Sequence, residues 1–361
     1  METAAIRRAL LAWFRREARP LPWRQTRNPY FIWLCEVIMQ QTRIDQGLPY
    51  YERYAARYPT VRDLAAASED DVLKLWEGLG YYTRARNMHR TARRIVEEYG
   101  GEFPRKAVLL QLLPGIGPYA AGAIASIAFG EAVPVVDGNV RRVLSRLFNL
   151  DACIDDPQTE RELWRIAASL IPARSPGDFN QAIMELGATV CTPRKPECTQ
   201  CPVASWCAAR ALGVQEQRPV RKRKSTPPHH EIVAAVIACD GRYLIGKRPA
   251  EGLLGGLWEF PGGKVRPGET HQDALVRECR EELGVAVRPG GLIATVKHAY
   301  THFRITLNAY RCSIAENRKI PVRSAAHTEL RWVSPAEFDD YAFPKANHKF
   351  LHLLRGESEL F

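Results

Sequence analysis

From residue 1 to about 213 the apolar residues recur at helical spacing. Only short connectors interrupt them, such as Arg27-Asn28-Pro29 and the Pro-Gly turn at 114–118. Ile6, Leu10, Trp13 and Phe14 fall on one face of the first predicted helix, among arginines. The pattern then changes. Residues 214–230 carry Arg218, Arg221, Lys222, Arg223 and Lys224, followed by Pro227-Pro228 and two histidines. This stretch reads as a solvated basic linker with a capacity for backbone-phosphate contact. Beyond it the chain mixes periods. Ile232 to Cys239 is a β-branched apolar run, and Arg242 to Lys247 reads as its hairpin partner. A Gly-rich loop at 261–268 precedes a helix predicted over about 270–283, and strand-like stretches follow near 292–297 and 303–312. The expected architecture is multidomain: an all-α domain over 1–213, the linker, and an α+β domain over 231–361.

Composition agrees with that division. The 361 residues are 46% hydrophobic and 25% charged, enough for two or three cores. The formal net charge of +11 suits a polyanionic partner, because cationic side chains release counterions from nucleic acid. Five of the nine cysteines (Cys35, Cys153, Cys239, Cys279 and Cys312) are scattered, and four cluster between Cys191 and Cys207. Scattered cysteines in a chain of this length point to a reducing, cytoplasmic setting without a disulfide framework. No apolar run approaches the length of a membrane span, and the N-terminus does not have the pattern of a signal peptide.

Candidate chemistry concentrates at four places in the helical part. Leu113-Pro114-Gly115-Ile116-Gly117-Pro118-Tyr119 sets two glycines in a tight turn before a helix. Backbone amides left uncovered at Gly115 and Gly117 can bind a DNA phosphate; the plainer reading is a helical hairpin. Val135-Val136-Asp137-Gly138-Asn139-Val140 places Asp137 where it is either an N-cap or a carboxylate facing a flipped nucleotide. Glu36 lies within Trp33-Leu34-Cys35-Glu36-Val37-Ile38-Met39, where apolar surroundings would raise its pKa and hold a proton for general acid work. The cluster Cys191-x6-Cys198-x2-Cys201-x5-Cys207 contains no histidine and only one Cys-x2-Cys pair, where zinc sites usually have two; four thiolates suit a [4Fe–4S] cluster, with zinc the natural rival.

Together these segments resemble the helix–hairpin–helix glycosylases of the endonuclease III superfamily, and within it the MutY-type adenine glycosylases. Leu21-Pro22-Trp23-Arg24, Glu36 to Thr42, Gly78-Leu79-Gly80-Tyr81-Tyr82 and Phe179-Asn180-Gln181 carry the closer likeness. The resemblance implies base excision repair of adenine mispaired with 8-oxoguanine or guanine in double-stranded DNA, by a monomer. It implies the iron–sulfur cluster rather than zinc at the four clustered cysteines, and that Glu36 protonates adenine at N7. Asp137 would stabilise the oxocarbenium-like state, by charge or through a covalent sugar adduct, with Tyr119 and Asn139 supporting it. It further implies that Gln41 and Tyr81 wedge beside the lesion, that Arg24 and Thr42 lie near the lesion or the adenine pocket, and that Gln181 belongs to that pocket. Bifunctional relatives carry Lys where this chain has Tyr119, so a monofunctional enzyme is expected.

The C-terminal part holds Gly263-x5-Glu269-x7-Arg277-Glu278-Cys279-Arg280-Glu281-Glu282-Leu283-Gly284-Val285, a complete Nudix box. Glu278, Glu281 and Glu282 stand on one helical face and can hold Mg²⁺ against a diphosphate, with Arg277 orienting Glu281. MutY-type proteins resemble this chain in carrying a Nudix-like domain that reads 8-oxoguanine, but in familiar members the box has decayed. Trp258 to Lys264 and Phe343 to Asn347 are similar to MutT-type hydrolases of 8-oxo-dGTP, in which an Asn matching Asn347 contacts the oxidised purine. His298-Ala299-Tyr300-Thr301-His302 is similar to the MutY lesion loop, which implies 8-oxoguanine contacts by Tyr300, Thr301 and His302. Three readings follow: a glycosylase with a hydrolytically idle reader, a dual enzyme that also hydrolyses 8-oxo-dGTP, and, weakest, a non-catalytic lesion binder.

Overall fold

The computed structural model describes residues 2–222, 226–315, 324 and 326–355. Arg223 and Lys224 of the expected linker lie outside these. The backbone divides into two compact units, Met1–Ala66 with Asn87–Lys224 and Ala67–Arg86 with Ser225–Phe361.

The helices are α1 (Glu2–Glu17), α2 (Pro29–Met39), α3 (Ile44–Arg57), α4 (Val61–Ala66), α5 (Glu69–Trp76), α6 (Thr83–Tyr99), α7 (Ala107–Leu110), α8 (Pro118–Phe129), α9 (Gly138–Leu147), α10 (Pro157–Leu170), α11 (Pro176–Thr189), α12 (Ala208–Ala211), α13 (His271–Leu283) and α14 (Lys345–Arg355). In the first unit, α2 starts where Asn28 accepts from the Tyr30 amide and Pro29 presets the first turn. Every residue from Ile32 to Ile38 of α2 is buried, as are Ala120 to Ile127 of α8, and the two helices pack together. α9 is capped by Asp137, which accepts from the Val140 amide at 2.7 Å. α9 and α11 approach closely at Gly187, where a Cβ would stand 2.6 Å from the Asn139 Cβ.

The second unit is built on a sheet of seven strands: β1 (His229–Cys239), β2 (Arg242–Lys247), β3 (Trp258–Glu259), β4 (Gly262–Lys264), β5 (Val287–Ala299), β6 (Arg304–Ile314) and β7 (Glu329–Val333). The central order is β3-β2-β1-β6-β5, with β4 paired to β1 and β7 to β2. The β1–β6 pairing is parallel and the other pairings are antiparallel. Both faces of β1 are covered. Val233, Ala235 and Ile237 pack with α13 residues Leu275, Cys279 and Leu283. Ala234 and Val236 turn to the other core, with Phe338, Phe343 and Phe350. That alternation is the period of two that marks a strand.

Two features depart from the division expected from the sequence. Residues 67–86 belong with the C-terminal strands, because polar groups tie them there. The Lys247 Nζ lies 2.6 Å from Asp70, Lys74 donates to the Tyr341 carbonyl, and the Phe343 amide donates to Glu77. The stretch 214–230 is not a free linker throughout. It contains a short 3-10 turn at Gln215–Gln217, Val220 pairs with Cys153, and β1 already begins at His229.

Candidate active site

In the first unit three elements bring their carboxylates and one phenol into a common cavity of about 460 Å³: α2 carries Glu36, the first turn of α8 carries Tyr119, and the cap of α9 is Asp137. Glu36 is buried, as its apolar neighbours predict, and its pKa is pushed up to about 7. Burial is the main cause; the nearby Asp137 charge adds to it, and the Tyr119 hydroxyl, donating to Glu36 Oε2 at 2.5 Å, opposes it. A carboxyl raised toward neutrality in this way retains a proton to give, which suits an acid. Asp137 is also raised by burial, but the Val140 amide and the Asn139 side chain, at 3.0 Å from Oδ2, restrain the rise. The two carboxylates thus differ in their surroundings: burial dominates at Glu36, which has one hydroxyl donor, whereas Asp137 has an amide and a side-chain donor that oppose its burial.

The anionic cap is anchored beyond itself. Asn139 accepts from Arg142 Nη2 at 2.8 Å, and Arg142 donates to the carbonyls of Gly187 and Cys191, each at 2.7 Å. Cys191 opens the cysteine cluster. Arg146 donates to the Cys191 sulfur at 3.3 Å and to the carbonyls of Thr192 and Pro193. The thiols of Cys198, Cys201 and Cys207 are all raised, first by burial, with the other cluster thiols adding to the rise, and Cys201 reaches about 11. Four thiols that repel one another's charge, beside two arginines, fit a shared cationic iron–sulfur core.

The remaining residues expected at the DNA are distributed unevenly. Gly115 has φ +75°, and a Cβ there would lie 2.7 Å from the Asn87 side chain, so the hairpin requires glycine at this point. Gly117 is the extended N-cap of α8. Gln41, exposed and with φ 56°, stands at the mouth of the cavity that holds Glu36. Thr42 and Arg24 line a neighbouring cavity of about 690 Å³ that also reaches Glu36 and Asp137. Arg24 is less free than the sequence suggests. Its guanidinium donates to Glu185 Oε2 at 2.7 Å and to the Arg19 carbonyl. Glu185 is buried, yet the ion pairs with Arg19 and Arg24 hold its pKa at about 2. Gln181 is half-buried on α11 and lines neither cavity; its neighbour Asn180 is the buried one, donating to Ser126 Oγ and the Val133 carbonyl.

In the second unit Tyr81, with φ 49°, donates its phenol to Thr301 Oγ1 at 2.5 Å. The expected wedge and the expected lesion loop are therefore joined by a direct hydrogen bond. Tyr300 stacks on Phe303 with centroids 4.7 Å apart, and burial pushes its pKa up to about 12. His302 is exposed. A cavity of about 470 Å³ is lined by Arg248, Glu259, Glu278, Glu282, Phe303 and Asn347, among others, and Tyr300 also borders it. Arg277 organises the box more widely than its spacing from Glu281 implies. It binds both oxygens of Glu269, at 2.7 and 2.8 Å, as well as Glu278 at 2.7 Å and Glu281 at 3.3 Å. Glu282 is raised to about 7 by burial and by its neighbours Glu259 and Glu278, with His327 opposing, and it accepts from the Gly262 amide. A Cβ at Gly263 would collide with the Glu278 carboxylate. Crowded carboxylates against a glycine backbone fit a divalent cation. Among the described residues no three His, Cys, Asp or Glu side chains, the four cysteines included, are already grouped closely enough to hold a metal ion, and Arg277 occupies two of the three box carboxylates.

Sequence reasoning missed Met184, whose sulfur lies 3.4 Å from the Tyr119 hydroxyl, and the Glu185 clamp, since neither stands in a motif. It also missed Glu259 and the buried His327, 3.4 Å apart. Arg142 was detectable, because it sits one helical turn beyond Asn139.

Comparison with known proteins matches these regions separately. Residues 34–169 match the HhH-GPD superfamily of base excision DNA repair proteins, residues 191–207 the iron–sulfur binding domain of endonuclease III, and residues 232–353 the NUDIX domain. The chain is 38% identical to the adenine DNA glycosylase of Homo sapiens, over 99% of this chain and 75% of that protein. It is 32% identical to that of Buchnera aphidicola, over 83% of this chain and 84% of that protein. A solved thermostable thymine-DNA glycosylase superposes with a TM-score of 0.54 at 28% identity, over 58% of this chain and 97% of that one. Among the described residues no helix is long and apolar enough to cross a membrane.

Proposed function

The chain belongs to the adenine DNA glycosylases, with a cysteine loop for an iron–sulfur cluster and a Nudix-like C-terminal domain, and from that premise we propose that it is a monofunctional enzyme removing adenine paired with 8-oxoguanine or guanine. The observation that carries this reading is the shared cavity of Glu36, Tyr119 and Asp137. Glu36 gives its proton to N7 of the extruded adenine, and the N-glycosidic bond breaks with its electrons on the base. Asp137, kept anionic by Val140 and Asn139, faces the positive charge on the sugar. Water adds at the anomeric carbon, and the Glu36 carboxylate takes its proton. No amine is present at position 119 to form an imine with the sugar. The four cysteines hold a [4Fe–4S] cluster that keeps the 191–207 loop in one shape. Tyr300, Thr301 and His302, with Tyr81 bonded to Thr301, form the 8-oxoguanine reader.

Single-turnover adenine release from an 8-oxoguanine:adenine duplex tests the assignment. Glu36→Gln and Asp137→Asn each abolish release, and full activity in either variant removes that residue from its role. Borohydride trapping yields little protein–DNA adduct; efficient trapping contradicts the monofunctional reading.

A second reading is favoured by one observation, the cavity in which Glu278, Glu282 and Asn347 meet. On this reading the domain also hydrolyses 8-oxo-dGTP or a similar nucleotide. Glu278, Glu281 and Glu282 would hold Mg²⁺, which supplies charge neutralisation at the diphosphate. Arg277 must then release Glu278 and Glu281 to the metal. Pyrophosphate or monophosphate release from 8-oxo-dGTP with Mg²⁺, lost in Glu281→Gln, is the expected result; no release above background leaves the domain a reader only.

A further inference from the structure

The basic stretch after α12 does not leave the helical unit directly. Val220 forms a parallel bridge with Cys153, and the Ile154 amide donates to the Val220 carbonyl at 2.9 Å. Two residues later the Lys222 amide donates to Asp155 at 3.0 Å, and the Lys222 ammonium lies 3.0 Å from Asp156. The Arg218 carbonyl is held by Arg146 at 3.1 Å. Arg221 is thus pinned on both sides by its backbone neighbours. In extended chain its side chain points opposite to those of 220 and 222. It lines the cavity that contains Glu36, Tyr119 and Asp137.

Two cations line that cavity. Arg141 is bonded to Glu160. Arg221 is exposed and has no hydrogen-bond or ion-pair partner among the described residues. A nucleotide extruded toward Glu36 and Asp137 brings a phosphate on either side of its sugar. That phosphate enters a site whose carboxylates at Asp137 and Asp155 repel it. An uncommitted guanidinium on the same wall supplies the missing complement, with a planar fork suited to two phosphate oxygens.

We propose that Arg221 is a substrate-positioning residue that grips a backbone phosphate adjoining the extruded adenosine, so that the start of the interdomain stretch completes the glycosylase site. The inference rests on Glu36 and Asp137 facing that adenosine.

The test uses the full chain and a duplex carrying 2′-fluoro-2′-deoxyadenosine, which resists cleavage. Affinity is measured against salt for the wild type, Arg221→Ala and Arg221→Lys. It is measured again with single neutral methylphosphonates at each of the phosphates flanking the target. Arg221→Ala binds about tenfold more weakly, and its log–log salt slope falls by about 0.9, the loss of one phosphate contact. Arg221→Lys recovers most of the affinity. One methylphosphonate weakens the wild type but adds nothing to the loss in Arg221→Ala, a coupling that a general loss of folding cannot imitate. Unchanged affinity and slope in Arg221→Ala, or methylphosphonate losses that add fully at every flanking position, would overturn the proposal. Full adenine release by Glu36→Gln on an unmodified duplex instead removes the premise about the site, and is scored separately.

Discussion

Replacing Tyr119 by Phe removes one hydroxyl from Glu36 and leaves the ring in place. In the wild type that hydroxyl, 2.5 Å from Oε2, favours the ionised carboxylate and opposes the rise caused by burial, leaving the group at about 7. A hydrogen bond to a charged group contributes about 1.5–3 kcal/mol, and one pKa unit corresponds to about 1.4 kcal/mol. Removing it therefore raises Glu36 by roughly one to two units, and water entering the space left by the oxygen favours the lower figure. Because the protonated form is the acid, the wild-type rate falls about tenfold per pH unit above its pKa. In Tyr119→Phe the alkaline limb moves up to roughly pH 8, so the ratio of variant to wild-type rate rises between pH 7 and 9. Single-turnover adenine release from pH 5.5 to 9, at saturating enzyme, measures this directly. An alkaline limb that stays at about 7, or moves down, would refute either Glu36 as the acid or the Tyr119 hydroxyl as its partner.

Three further outcomes follow from the same geometry. Glu36 has a folded pKa above its unfolded value of 4.5, so its favourable contribution is complete below about 4.5 and lost as pH rises through about 7. Glu36→Gln should therefore gain stability over the wild type on going from pH 5 to pH 8, by up to about 3 kcal/mol in urea unfolding; an equal difference at both pH values contradicts the buried, proton-holding state. Glu185 is the opposite case. Its folded pKa of about 2 means its stabilisation is present above about 4.5 and lost as pH falls toward 2. Glu185→Gln leaves the half-buried Arg24 without its counterion and costs about 3 kcal/mol at pH 7, read by the same unfolding curves; a loss below about 0.5 kcal/mol contradicts the clamp. Cys198→Ser removes one cluster ligand, so purified protein should lose its brown colour and the visible absorbance of the iron–sulfur core, whereas Cys239→Ser keeps both, since Cys239 lies exposed in the other unit.

Much of this protein was legible in the order of its residues, because the relevant chemistry is local. β2 spans Arg242–Lys247, the stretch read as the hairpin partner of β1, and α13 begins within one residue of the Thr270 cap that starts it. The Glu36 burial followed from the six apolar neighbours between Trp33 and Met39, on a helix that has no polar face to turn outward. Asp137 as a cap and Asp137 as a charge-bearing carboxylate were rival readings of one motif; the fold shows the cap, and the same Val140 amide opposes the rise that burial imposes on its pKa. Other features belonged to the tertiary structure alone, because they join residues far apart in the chain. Nothing around residues 67–86 announces that they pack with β2 and with the stretch 341–348 at the start of α14, since Asp70, Lys74 and Glu77 look like an ordinary solvated helix face until Lys247, Phe343 and His348 arrive. Arg24 carries a motif, but its guanidinium is decided by Glu185, 161 positions away. Arg221 reads as one charge in a basic linker, and only its backbone neighbours, pinned to Cys153 and Asp155, bring it to the wall beside Glu36 and Asp137. Periodicity and motif spacing report what a residue does within a turn or two of itself; which charge meets which across the fold depends on the packing of whole elements.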